Sequence, residues 1–220
     1  MEADPKQSKA AMRKIRPEPD MDDPMEILRQ YGPPVAIGLT LAVIIFLAFT
    51  FHRHRQEAAR AQASELFMQA QSPEQLQAII DDFPGTVTAP IALLSLASER
   101  FHGGDYGLAA THYRQFLERY PDHIMRPTAE LGLVYCDEAQ GLHNEALNGF
   151  ETFLATHGED HFLASPARLG KARVLGLLGR FDEARAIYDA ILDDPDHPWR
   201  AQARSDKLYL EKEMRAQGRL

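Results

Sequence analysis

Within the stretch His157-Gly-Glu-Asp-His161, four of five residues carry metal-ligating atoms, and imidazole and carboxylate together are the donor chemistry of zinc. The stretch lacks the H-E-x-x-H spacing and falls where a connection between helices is expected, so it reads as a solvated turn. Asp193-Asp194-Pro-Asp196 offers carboxylates for calcium, but without the glycine and the distal bidentate glutamate of a calcium loop it reads as a helix terminus. Cys136 is the single cysteine. With no second thiol to resolve it, it reads as a small core or groove residue, and disulfide frameworks and Cys-rich zinc modules are excluded. The chain holds no glycine-rich phosphate loop and no nucleophile elbow. The expectation is a protein that catalyses nothing, with no catalytic residue, metal, cofactor or small-molecule substrate.

The 220 residues allow one domain with appendages, and the composition, 45% hydrophobic and 25% charged, is that of a soluble domain. One segment departs from it. Between Arg29 and Arg53 lie 23 residues without a charge, which as a helix would extend roughly 35 Å, enough for the hydrocarbon core of a bilayer. Pro33-Pro34 suit its first turn, and Phe51-His-Arg-His-Arg55 follows it as an aromatic and cationic interfacial anchor. A cleaved signal peptide would have a shorter apolar region, an earlier start and a small-residue cleavage site, so residues 30–52 read as an uncleaved transmembrane helix. Residues 1–29 mix six Lys/Arg with seven Asp/Glu and four prolines without apolar periodicity, the pattern of a flexible tail. The net charge of −8 leaves no cation excess to displace counterions from phosphates, which excludes nucleic acid as a partner.

From Arg53 onward the spacing predicts helices throughout, punctuated at regular intervals. Gly104-x4-Ala109-x3-Tyr113-x2-Phe116-Leu117-x3-Pro121 is followed by Gly141-x4-Ala146-x3-Phe150-x2-Phe153-Leu154 and then by Gly179-x4-Ala184-x3-Tyr188-x2-Ile191-Leu192-x2-Pro195. The alanines are 37 and 38 residues apart, and Leu76, Ile79, Ile80 and Pro84 form a degenerate earlier copy. Self-similarity at such a period signals a solenoid. Glycine permits the turn between two helices, alanine lets them approach closely, the aromatic four residues on fills the space beside it, and proline stops the second helix.

The first helices carry Leu93-x2-Leu96-Ala97, Leu131-Gly132-x2-Tyr135 and Leu169-Gly170-x-Ala172. Together these motifs resemble the tetratricopeptide repeat, a helix–turn–helix unit, over residues 53–197, in about three full copies and one degenerate one. Two departures stand out: Tyr135 to Gly141 is two residues longer than the family spacing, and Gly158 replaces the second proline. The resemblance implies an all-α chain, one transmembrane helix followed by an α-solenoid. Residues 198–220 read as a capping helix and tail, with Trp199, Leu208 and Leu210 facing the last repeat. It also implies a concave wall built from the first helices that binds protein segments. The groove-facing positions carried over from the repeat are Ser98, Phe101 and His102, then Arg126, Leu133, Cys136 and Asp137, then Arg173 and Leu177.

A short tail, one span and a C-terminal tetratricopeptide domain together resemble the ancillary SecYEG translocon subunit family, the YfgM-like proteins of bacterial inner membranes. That resemblance implies a cytoplasmic N-terminus, repeats in the periplasm, and the translocon and periplasmic chaperones as partners. Flanking charge does not decide the topology, with four cations before the span and three after it. The ending Phe116-Leu-x2-Tyr120-Pro121 also resembles TolA-binding cell-division coordinators and outer-membrane assembly lipoproteins, but Cys136 lies too far downstream to be a lipidation site.

Overall fold

The structure, a computed structural model, describes residues 24–219. Their regular structure is entirely helical: α1 (Pro24–Gln69), α2 (Pro73–Asp82), α3 (Thr88–His102), α4 (Tyr106–Arg119), α5 (Arg126–Ala139), α6 (His143–His157), α7 (Ala164–Leu177), α8 (Phe181–Leu192) and α9 (Arg200–Ala216). The chain divides into two compact units, residues 1–56 and residues 57–220.

In the first unit, residues 1–23 of the expected tail lie outside the described residues, while residues 24–29 form the opening turns of α1, with Pro24 at a position where a missing N–H is tolerated. The large apolar side chains from Val35 to Phe51 are each more than half exposed. Among the described residues this is the one helix long and apolar enough to cross a membrane. The two threonine hydroxyls of the apolar stretch are satisfied internally. Thr40 Oγ1 donates to the carbonyls of Ala36 and Ile37, and Thr50 Oγ1 to those of Phe46 and Leu47.

In the second unit every helix from α2 onward packs on its neighbours in sequence, and α3, α5, α7 and α9 also touch one another in that order. These four form the inner layer of a solenoid, and α2, α4, α6 and α8 form the outer one. Gly104, Gly141 and Gly179 close α3, α5 and α7 at φ of +83°, +78° and +76°. The N–H groups of Asp105, Leu142 and Arg180 then donate back to the carbonyls of Arg100, Asp137 and Leu175, each at 2.9 Å. This 6→1 bond is the Schellman closure, which satisfies carbonyls that a helix end otherwise leaves unpaired. Gly158, in place of the second proline, ends α6 at φ +80° and ψ +167°.

Ala109, Ala146 and Ala184 are fully buried between paired helices, as their size predicts. The aromatics four residues later do more than fill space within their own pair. Tyr113 lies over Gly132 of α5, and Phe150 over Gly170 of α7, so each ring on an outer helix is seated on the glycine of the next inner helix. A Cβ on Gly132 would stand 2.5 Å from Cζ of Tyr113, and one on Gly170 closer still to Phe150. The glycine of each Leu-Gly pair is therefore the joint between consecutive repeats.

The loops between repeats share a device that the Gly/Ala/aromatic pattern does not reveal. Asp122-His123, Asp160-His161 and Asp196-His197 recur before α5, α7 and α9. Nδ1 of each histidine accepts the N–H two residues on, from Met125, Leu163 and Trp199, at 3.1, 3.2 and 3.1 Å. The imidazole thus does for the entry of each inner helix what a side-chain oxygen does in an Asx turn.

The cap differs from expectation. Leu210 is buried, but Leu208 and Trp199 are 60% and 40% exposed. Two residues apart, Leu208 and Leu210 lie about 200° around the helix and cannot face the same neighbour. The buried stripe is Ala203, Leu210 and Met214, while Trp199 sits with Ile124 and Phe162 among exposed apolar residues of the inter-repeat loops.

Gly170→Ala should destabilise the protein by about 1–3 kcal/mol by overpacking Phe150. Gly107→Ala, on α4 where an added Cβ meets nothing within 4 Å, should be neutral or stabilising by up to about 1 kcal/mol. Denaturant melts of both variants check the pair, and equal effects would remove the glycine seat as the joint. His161→Ala should cost about 0.5–2 kcal/mol, the usual worth of a helix-entry cap, and His161→Asn should recover most of that loss in the same melts.

Candidate partner-binding groove

Each turn glycine fixes which residues of the preceding helix face inward. The residues six, three and two positions before it are Ser98, Phe101 and His102 on α3, Tyr135, Glu138 and Ala139 on α5, and Arg173, Gly176 and Leu177 on α7. All of them except Gly176, which lines the adjoining cavity, border one groove of ≈620 Å³, floored by Tyr113. Five of the nine expected groove residues are among them: Ser98, Phe101, His102, Arg173 and Leu177. Leu177 is 58% exposed and Phe101 is half-buried, its ring edge-on to Tyr106 at 5.2 Å between centroids.

The four positions expected on α5 are displaced from this wall. Cys136 is fully buried between α4 and α5, in one core cluster with Ala109, Tyr113 and Phe116. Burial pushes its thiol up to about 11, with a further push from Asp137 against the pull of Arg114, so it is a protonated core group at neutral pH. Asp137 faces Arg114, and burial raises its carboxyl above the usual carboxylate range despite that cation. Leu133 is half-buried against the same core. Arg126 begins α5, its Nε 2.7 Å from Oε1 of Glu130 and its Nη1 donating to the Pro121 carbonyl. Counting back from Gly141, as for the other two copies, selects Tyr135, Glu138 and Ala139. Leu133, Cys136 and Asp137 stand eight, five and four positions before Gly141, off those offsets, although Gly132 precedes its turn glycine by nine residues just as Gly170 precedes Gly179.

Arg173 lines the groove but is already engaged. Its Nε and Nη2 donate to the two carboxylate oxygens of Glu138, both at 2.9 Å, its Nη1 lies 3.9 Å from Oδ2 of Asp206, and its guanidinium lies over the Tyr135 ring at 5.8 Å. Glu138 is on α5, Arg173 on α7 and Asp206 on α9, so one side chain ties three inner helices together. Burial disfavours the charged guanidinium, yet the Glu138 hydrogen bonds outweigh it and raise its affinity for the proton. Tyr135 donates its hydroxyl to the Pro166 carbonyl at 2.9 Å, and burial holds its phenol at about 12.

Four of the sequence's candidate metal ligands have partners in the protein. His157 Nε2 lies 2.7 Å from Oε2 of Glu130, Glu159 pairs with Arg168, and His161 Nδ1 caps Leu163. Asp194 Oδ1 accepts the N–H of Asp196 at 3.0 Å. Among the described residues no three His, Cys, Asp or Glu side chains converge as a metal site.

Arg173→Met should cost about 2–3 kcal/mol, because it leaves Glu138 and Asp206, 14% and 13% exposed, without their cation. Arg126→Met removes a surface pair and should cost less than about 1 kcal/mol. Denaturant unfolding measures the difference, and equal costs would mean that Arg173 is not a strut. Cys136 should stay silent to thiol reagents in the native protein and react on unfolding.

The sequence matches the tetratricopeptide repeat-like domain family over residues 26–204, a span that includes most of α1 as well as the helical pairs through the start of α9. A tetratricopeptide repeat protein from Parabacteroides merdae, known from its crystal structure, is similar in fold, with a TM-score of 0.53 at 20% identity. The similarity covers 74% of this chain and 60% of that one. Among curated proteins none matches the sequence. With helical pairs of 37–38 residues, a glycine closing each first helix and a family match across most of its length, the chain belongs to the tetratricopeptide repeat-like domain family.

Proposed function

We propose that this protein is a membrane-anchored scaffold whose inner wall binds segments of other proteins, with residues 30–52 as an uncleaved span. The observation that carries the binding role is the groove itself. Its charged groups, Glu138 and Arg173, satisfy each other, while Phe101, Tyr135 and Leu177 leave apolar surface open across three consecutive inner helices. Exposed aromatic and aliphatic surface bounded by polar groups is the character of a protein-recognition site.

The anchor reading rests on α1. An uncharged, mostly apolar run whose large side chains are more than half exposed and whose two threonine hydroxyls are satisfied by its own backbone is unfavourable in water and suited to hydrocarbon. Arg55 stacks on Phe51 at 4.8 Å, an arrangement suited to a membrane interface. The family match begins at residue 26, which treats the apolar segment and the repeats as one unit. Resemblance to the ancillary translocon subunits favours the bacterial inner membrane, with the N-terminus cytoplasmic, the repeats periplasmic, and the SecYEG translocon and periplasmic chaperones as the partners. The acidic balance of residues 53–220, 18 Lys/Arg against 25 Asp/Glu, keeps that domain from adhering to anionic lipid.

Photo-crosslinking residues placed at His102 and Leu177 in native membranes should capture the same partner proteins, and one at the exposed Leu108 of α4 should capture none of them. Equal yields from all three positions would remove the groove as the binding surface. Because Cys136 is buried, cysteines introduced at Ser8 and Gln217 report topology directly. Gln217 should react with an impermeant maleimide once the outer membrane is opened, and Ser8 only after the inner membrane is lysed. The reverse pattern would place the repeats in the cytoplasm.

A further inference from the structure

Beyond Leu177 the groove continues into a second cavity of ≈270 Å³ between α7, α8 and α9. Its apolar wall is Leu177, Tyr188, Tyr209 and Leu210, and its charged groups are Glu138, Arg173, Asp206 and Glu213. Both carboxylate oxygens of Glu138 are taken up by Arg173. Oδ1 of Asp206 accepts from Gln202 at 2.7 Å, but its Oδ2 is shut off from water without a hydrogen-bond partner, and the nearest cation, Nη1 of Arg173, is 3.9 Å away. Glu213 is half-buried on the rim and makes no ion pair among the described residues. The cavity therefore holds two carboxylates more than its cation neutralises.

An uncharged occupant would strip water from Glu213 and deepen the burial of Asp206 with nothing in return, and an acidic one would add repulsion. A lysine or arginine meets both demands, since its methylene stem can lie along Leu177 and Leu210 while its charged head reaches Glu213 and the tyrosine rings. The neighbouring stretch over α3 and α5 is neutral and aromatic, so it makes the complementary demand for an apolar side chain. We propose that the groove reads an extended protein segment by an apolar side chain seated over Phe101 and Tyr135 and a lysine or arginine side chain entering the α7–α9 cavity toward Glu213 and Asp206. This inference rests on the binding role of the groove and specifies the chemistry of its partner.

The test uses the full chain in lipid nanodiscs and fluorescent peptides of one length on a Ser-Gly background, each with one phenylalanine and a second position occupied by lysine, norleucine or glutamate. Anisotropy should show the lysine peptide binding about tenfold more tightly than the norleucine peptide, with the advantage falling as salt rises. Glu213→Gln should shrink that ratio several-fold and leave the norleucine peptide unaffected, and Glu213→Lys should turn the preference toward glutamate. Melting curves of both variants confirm that they remain folded. If lysine and norleucine peptides bind equally, and Leu177→Asp abolishes both, the basic specificity is overturned and the groove reading survives. If no peptide binds, or if binding ignores Leu177→Asp, both readings fall.

Discussion

The three-residue turn that takes each of α3, α5 and α7 into the outer helix after it uses one position with φ near +80°, and Gly104, Gly141 and Gly179 supply it. The Schellman bond closed at each of them fixes where the inner helix stops, and the stopping point fixes its rotation relative to the outer helix that follows. Residues six, three and two before the glycine then face the groove, whatever their chemistry. Serine, tyrosine and arginine occupy the first of these positions in successive repeats, and phenylalanine, glutamate and glycine the second. The backbone constraint is invariant along the solenoid, and the side chains it presents are free to differ.

Stacking is controlled by a second close approach, the ring of one outer helix on the glycine of the next inner helix. Because each repeat touches only its neighbours, such joints carry the stability of a solenoid pair by pair. The Glu138–Arg173–Asp206 bridge adds to these joints a charged link through three successive inner helices, on the wall that binding would use. A charge committed to holding repeats together is not available to a partner. On the proposed reading, recognition falls to the apolar surface between the charges and to Glu213, which the bridge leaves over.

Sequence and tertiary structure divided the decisions by the range over which each acts. The 37–38 residue period, the turn glycines, the buried alanines and the apolar run before Arg53 are legible in the chain because they express local requirements: a left-handed backbone, a small side chain at a helix crossing, a length of helix that water does not favour. Ser98, Phe101, His102, Arg173 and Leu177 were legible as groove-lining positions because they fall at shared offsets before the turn glycine. What faces what was decided only in three dimensions. Each residue of register turns a side chain by about 100°, which separates buried Cys136 from groove-lining Tyr135, one position apart, and exposed Leu208 from buried Leu210, two positions apart. Arg173 looks in sequence like a free cation on a binding wall, and only the stacking of α5, α7 and α9 brings Glu138 and Asp206, 35 and 33 positions away, within its reach. Pairings across such separations depend on how repeats are seated on one another, a relation that no local stretch of residues encodes.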